Sequence, residues 1–173
     1  RVKLNIASGP NVFPSPWHNL DREDMSSYLT YLRAVPNTNG MPPEQARLCE
    51  QVKAGLITAE VHDLTKGFPQ YADESVDAIY GGQMIEHLNR ELHAVPFIRE
   101  CYRMLDHGGI LRLTTPDLDL LVDAYRSGQM MKFASEQPAF YRDAHPSAQL
   151  SYIMFGASGP ACTQEKYEGH FFL

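Results

Sequence analysis

The run VDAIYGGQMIEHL at residues 76–88 decides the fold. Its first five residues, VDAIY, follow the turn-rich YADES of 71–75 and stop at Gly81-Gly82-Gln83. That is a short strand, the fourth along the chain, whose carboxyl end opens into a loop of small residues. The remainder, QMIEHL at 83–88, predicts one short turn of helix. Beyond it, Leu92, Val95, Ile98, Cys101, Tyr102 and Leu105 recur at spacings of three and four, one face of a helix over 90–105. Pro96 is expected to begin or kink its main part. Asp106-His107-Gly108-Gly109 should end that helix, ILRLTT at 110–115 reads as a fifth strand, and Pro116-Asp117 opens a helix over 118–126 stopped by Gly128.

On the other side of the run, ITAEVH at 57–62 alternates as a third strand and stops at Asp63. Before it, Pro42-Pro43-Glu44 starts a helix that continues to about Lys53 and is ended by Gly55. Residues 24–33 have helical composition, with Asp24 or Ser26 as the cap. At the start, VKLNIA (2–7) is a strand running into Ser8-Gly9-Pro10-Asn11, and HNL (18–20) is a second strand closed by Asp21. Only about ten residues, with Pro10, Pro14 and Pro16 among them, join these two strands. That is near the lower limit for a parallel crossover and too short for a full helix. Strands alternating with helices give a doubly wound α/β fold on a mostly parallel, Rossmann-like sheet.

The bulk properties fit one globular domain. The 173 residues are 43% hydrophobic and 21% charged, and the longest apolar runs are a few residues, too short for a membrane span or a secretory leader. Fifteen basic against 21 acidic side chains give a net charge of -6, with no basic stripe interleaved with aromatics. Nucleic acid is therefore a poor partner, and membrane is not expected as one. Cys49, Cys101 and Cys162 are odd in number and far apart, which argues against a disulfide framework and a zinc knuckle and points to a reducing, cytoplasmic setting. No spacing among the histidines, cysteines and acids resembles a metal site.

In an open α/β sheet, ligands sit beyond the carboxyl ends of the strands. Here those ends are Ala7-Ser8-Gly9-Pro10-Asn11, Asp21-Arg22, Asp63-Leu64 and Gly81-Gly82-Gln83. Two of the four carry an acid at the tip. A carboxylate at the second tip, Asp21, can accept from both hydroxyls of a ribose. One at the third, Asp63, can accept from an exocyclic amine such as that of adenine, while the Leu64 N–H donates to the ring. Either acid alone is more readily a helix cap or turn residue, and Gly9 alone is as readily an ordinary turn glycine. Taken together and in order they suit a nucleoside.

LNIASGPN at 4–11, WHNLD at 17–21, VHDLTKGFP at 61–69, VDAIYGGQMIEHL at 76–88 and RECYRMLDHGGILRLTTPDL at 99–118 resemble the successive motifs of class I S-adenosylmethionine-dependent methyltransferases. The resemblance covers about 2–126 and is greatest to the small-molecule and sugar-associated branch with a very short first crossover. It implies S-adenosylmethionine as cofactor, with Ala7, Ser8 and Gly9 passing under its methionine part and Asn11 beside them. Asp21, next to Arg22, would hold the ribose; Asp63 and Leu64, with one side of His62, the adenine; Gly82 and Gln83 the methionine side. His87 would face the substrate. The usual glycine-rich loop is reduced to Gly9, because Ala7 stands where a second glycine is common. That departure weighs against a nicotinamide dinucleotide, whose pyrophosphate wants the three-glycine fingerprint.

Glu86-His87 reads either as a metal or acid/base pair, with His87 taking a proton from an acceptor hydroxyl, or as a cap or brace and a pocket wall. Methyl transfer from a sulfonium asks mainly for alignment and exclusion of water, so the sequence specifies the donor better than the acceptor. Residues 1–127 form the cofactor-binding core. Residues 128–173, with Phe133, Phe140, Tyr141, Tyr152, Phe155, Tyr167, Phe171 and Phe172, read as an aromatic cap whose walls suit a small-molecule or glycan-precursor acceptor. Gly169-His170-Phe171-Phe172 is assigned to packing. The family's last two strands are not reached by Leu173, which predicts an exposed fifth strand that a second copy would cover, as a homodimer. Two other readings share the fold: a module that binds S-adenosylmethionine or S-adenosylhomocysteine without turnover, and an aminopropyl transferase, which would need an acidic polyamine channel.

Overall fold

The computed structural model describes residues 2–134 and 144–155. Phe140, Tyr141, Tyr167, Phe171, Phe172 and Gly169-His170 lie outside the described residues, as do the side chains of Tyr152 and Phe155. The chain divides into two compact units, Arg1–Gly82 with Val95–Leu113, and Gln83–Ala94 with Thr114–Leu173.

The first unit carries the sheet. Its strands are β1 (Val2–Ile6), β2 (Trp17–Asp21), β3 (Ala59–Val61), β4 (Val76–Gly82) and β5 (Leu105–Thr114), in the order β3-β2-β1-β4-β5. β1 pairs in parallel with β2 and β4, and β2 with β3, so the strand order reverses at β1. The expected doubly wound sheet is present, with β5 at one edge and Ile110 exposed on it.

Between β1 and β2 there is no helix, as the three prolines require. The two helices α1 (Ser26–Ala34) and α2 (Pro43–Lys53) instead lie between β2 and β3. They bury Leu29, Leu32, Cys49 and Val52 in one apolar cluster with Val12, Val35 and Ile57. Pro43 sits at the first helical position, where its missing N–H costs nothing. For α1 neither expected residue is the cap: Met25 takes that position without a side-chain bond, while Asp24 Oδ1 accepts the Ser26 N–H at 2.8 Å. β3 is shorter than the alternation suggested: Ile57 is buried ahead of it, and beyond its last residue the His62 N–H still donates to the Asp21 carbonyl of β2.

α3 (Val95–Met104) is preceded by one wide helical turn at Arg90–Ala94, so Pro96 lies in the first turn of the regular helix. Phe97, Cys101 and Met104 form its buried face. One boundary differs from the expectation: β5 begins at Leu105, and Asp106 to Gly109 belong to the strand rather than to a turn before it. Gly109 makes this continuation feasible, since a Cβ there would stand 2.9 Å from the Asp106 carbonyl and 3.2 Å from that of Val76.

The second unit holds the turn Ile85–His87, α4 (Leu118–Arg126), α5 (Met131–Ala134) and α6 (Pro146–Phe155). Asp117 caps α4 through a bond from the Leu120 N–H at 3.1 Å.

Candidate cofactor site

The carboxyl end of β1 is bent by two left-handed residues, Ala7 (φ 51°) and Gly9 (φ 47°). Ala7 stands where glycine is the unstrained choice, so the loop holds a locally costly shape that its hydrogen bonds must maintain. Those bonds lead to β2: the Ser8 N–H donates to the Leu20 carbonyl at 3.2 Å, and the Gly9 N–H to Asp21 Oδ2 at 2.7 Å. Asp21 Oδ1 accepts the Glu23 N–H at 2.8 Å. Asp21 is therefore buried and charge-bonded to the first loop, and each of its oxygens retains a lone pair for a further donor. Arg22 beside it is exposed.

Two asparagines that the sequence reading passed over hold this end of the sheet. Asn5 and Asn19 face each other in register, both buried. Asn5 Nδ2 donates to the Asn11 carbonyl at 2.7 Å and to Asn19 Oδ1 at 2.8 Å. Asn19 Oδ1 also accepts the Phe13 N–H, and its Nδ2 donates to the carbonyls of Phe13 and Thr58. The amide pair thus replaces the absent crossover helix as the support of the loop. The available signal was an asparagine inside each of two adjoining buried strands, LNI and HNL.

At the third tip, Asp63 caps the turn Leu64–Lys66, with Oδ1 accepting from Thr65 N at 3.0 Å and Thr65 Oγ1 at 2.7 Å. The Thr65 hydroxyl, the largest influence, holds the carboxyl below the ordinary aspartate range against the opposing effect of burial, and the Thr65 N–H adds to it. The capping role is realised, and Oδ2 makes no hydrogen bond among the described residues. His62 Nε2 lies 2.9 Å from the Gly67 carbonyl and its ring stacks on Phe68 at 4.7 Å. It is a loop residue packed on an aromatic, with Leu64 half-buried next to the cap.

β4 ends at Gly82, where a Cβ would come within 2.7 Å of the Tyr80 hydroxyl, so a larger residue there would have to displace the Tyr80 side chain. In the second unit, Gln83 has φ 53° and donates its N–H to the Thr114 carbonyl at 2.8 Å. His87 is exposed at the end of its turn, while the adjacent Glu86 is buried. Burial raises the Glu86 carboxyl above its ordinary range, with the Thr115 hydroxyl pulling the other way. Oε2 has no hydrogen-bond partner among the described residues. Glu86 is thus an interior group.

These ends fit a nucleoside donor on three observations. Gly9 faces open space, the buried Ser8 Oγ has no partner among the described residues, and Asp21 and Asp63 keep free lone pairs. An open concavity of about 580 Å³ lined by Asp73, Glu74, Tyr102, Arg103 and residues 105–109 lies at the amino end of β5, on the wrong side of the sheet for this chemistry. Its one guanidinium, on Arg103, is committed to Asp73, Glu100 and the carbonyls of Phe68 and Tyr71. No group of three or more metal-ligating side chains occurs among the described residues, and none of their helices is long and apolar enough to cross a membrane.

Residues 30–113, a little under half of the chain, match the family model described as a methyltransferase domain. No curated protein matches the sequence. Among solved structures, a SAM-dependent methyltransferase from Archaeoglobus fulgidus is similar at 16% identity and a TM-score of 0.45, over 90% of this chain and 61% of that one. A candidate S-adenosyl-L-methionine-dependent methyltransferase from Methanococcus maripaludis is similar at 18% identity and 0.44, over 82% and 59%. The 4+2 cyclase SpnF is similar at 18% and 0.41, over 66% and 38%. The chain spans between 38% and 61% of the length of these three proteins.

Proposed function

We propose that the chain, whose residues 30–113 match a methyltransferase domain, is a class I S-adenosylmethionine-dependent methyltransferase that moves a methyl group from that cofactor to a small-molecule or glycan-precursor acceptor. The observation that carries the reading is the Gly9–Asp21 bond: a loop closed onto a buried carboxylate at the point where strand order reverses.

S-adenosylmethionine supplies an electrophilic methyl on a sulfonium, so the protein's work is binding and alignment. Ala7 to Gly9 shape the floor. Asp21 accepts from the ribose hydroxyls, Asp63 Oδ2 from the adenine amine, and Gly82 admits the methionine side without a Cβ in the way. His87, exposed on its turn, takes the proton that an acceptor hydroxyl must lose as its oxygen gains the methyl. The net charge of -6 supports an acceptor other than a phosphate backbone. The buried thiols of Cys49 and Cys101, unpaired among the described residues, support a reducing, cytoplasmic setting. A second copy covering the β5 edge belongs to the same reading.

The test is transfer of a labelled methyl group to a panel of small hydroxyl and amine acceptors. His87→Ala should retain cofactor binding and lose turnover by a factor of about 10² to 10⁴. Label entering proteins and no small molecule would refute the acceptor class, and unchanged turnover would remove His87 from the chemistry.

A further inference from the structure

Tyr80 stands on β4 in register with Asn5, two residues before Gly82. Its side chain runs along the strand toward the carboxyl end, since the position a Gly82 Cβ would take is 2.7 Å from Oη and 3.2 Å from Cζ. Phe13 packs against the ring at 5.3 Å, and Asn19 fixes Phe13 through both its N–H and its carbonyl. The phenol is held by Gly82 and Phe13, yet its hydroxyl makes no hydrogen bond among the described residues. A tyrosine so fixed, with its polar atom unused, is poised for a ligand.

Three backbone donors of the first loop are already committed: Ser8 N–H to Leu20, Gly9 N–H to Asp21, and Asn11 N–H to Ser8 at 2.9 Å. The crossover contains no helix, so no helix amino terminus offers free N–H groups. Two hydroxyls here have no partner among the described residues, Tyr80 Oη and the buried Ser8 Oγ. The amino-acid end of the cofactor carries a carboxylate that must be met by donors.

Resting on the cofactor reading above, we propose that Tyr80 donates its hydroxyl proton in a hydrogen bond to that carboxylate, with Ser8 Oγ as the second donor. Tyr80 is then a binding residue that stands in for the missing helix terminus, and glycine at 82 is what gives it room.

Tyr80→Phe removes the hydroxyl and leaves the ring against Phe13, so the fold should persist; its thermal midpoint checks this. Binding of S-adenosylhomocysteine and of 5′-methylthioadenosine, which lacks the amino-acid end, is measured by calorimetry on wild type and variant. The expected result is a Kd for S-adenosylhomocysteine raised about tenfold, with methylthioadenosine unaffected. An unchanged Kd for S-adenosylhomocysteine would overturn the assignment, as would an equal loss for both ligands, which would mean a packing role. Wild type that binds neither nucleoside would overturn the cofactor reading itself, and this inference with it.

Discussion

Asp21 joins two functions in one carboxylate. It closes the first loop through Gly9 and keeps lone pairs for a ribose. Asp21→Ala should therefore weaken S-adenosylhomocysteine binding by tenfold or more and also lower stability, by about 2 kcal/mol, because two backbone N–H groups lose a charged acceptor. Calorimetry and denaturant unfolding check the two parts separately; a loss of binding without loss of stability would show that the loop does not depend on the bond. Glu86 gives the opposite lesson. Burial raises its carboxyl above the ordinary 4.5, so the folded state favours the protonated form. The stability this group contributes is full below 4.5 and is lost as pH rises through the raised folded value. Glu86→Gln should accordingly raise the thermal midpoint at neutral pH and leave it nearly unchanged at pH 4. A variant less stable at neutral pH would mean that the ionised carboxylate is held by the protein.

At the scale of elements, the short crossover is the unusual part. Ten residues without a helix are held by an asparagine pair inside the sheet, and Asn19 alone bonds to Asn5, Phe13 and Thr58. Asn19→Leu should cost about 3 kcal/mol by leaving those groups unpaired, and so lower the thermal midpoint by roughly 10 °C; a drop under 2 °C would show that the loop is supported elsewhere. The strands and their acid tips were legible because alternation and turn residues are local signals: VKLNI, VDAIY, Asp21 and Asp63 could be read directly. The Asn5–Asn19 pair was not, since it depends on the register of β1 against β2, which no local pattern encodes. The start of β5 was misplaced for a related reason. Asp106-His107-Gly108-Gly109 has turn composition, yet pairing along the sheet keeps it extended, with Gly108 at φ 83° taking the irregularity. The π-type turn before α3 was likewise legible only as a start or kink at Pro96.

For the whole molecule, the sheet leaves β5 at an edge with Ile110 exposed, and such edges pair in trans unless charged or covered. With a second copy as the occupant, sedimentation should show a dimer that Ile110→Lys shifts toward monomer; a monomer at every concentration would contradict it. The central claim is narrower and concerns the strand ends around Gly9, Asp21 and Asp63. It is tested most directly by thermal unfolding with S-adenosylmethionine or S-adenosylhomocysteine at about 100 times the dissociation constant, against NAD and ATP. Either sulfur nucleoside should stabilise the folded chain by about 2.7 kcal/mol, a rise of roughly 5–10 °C, while NAD and ATP leave the midpoint where it was. No rise with either sulfur nucleoside, or an equal rise with NAD, would contradict it.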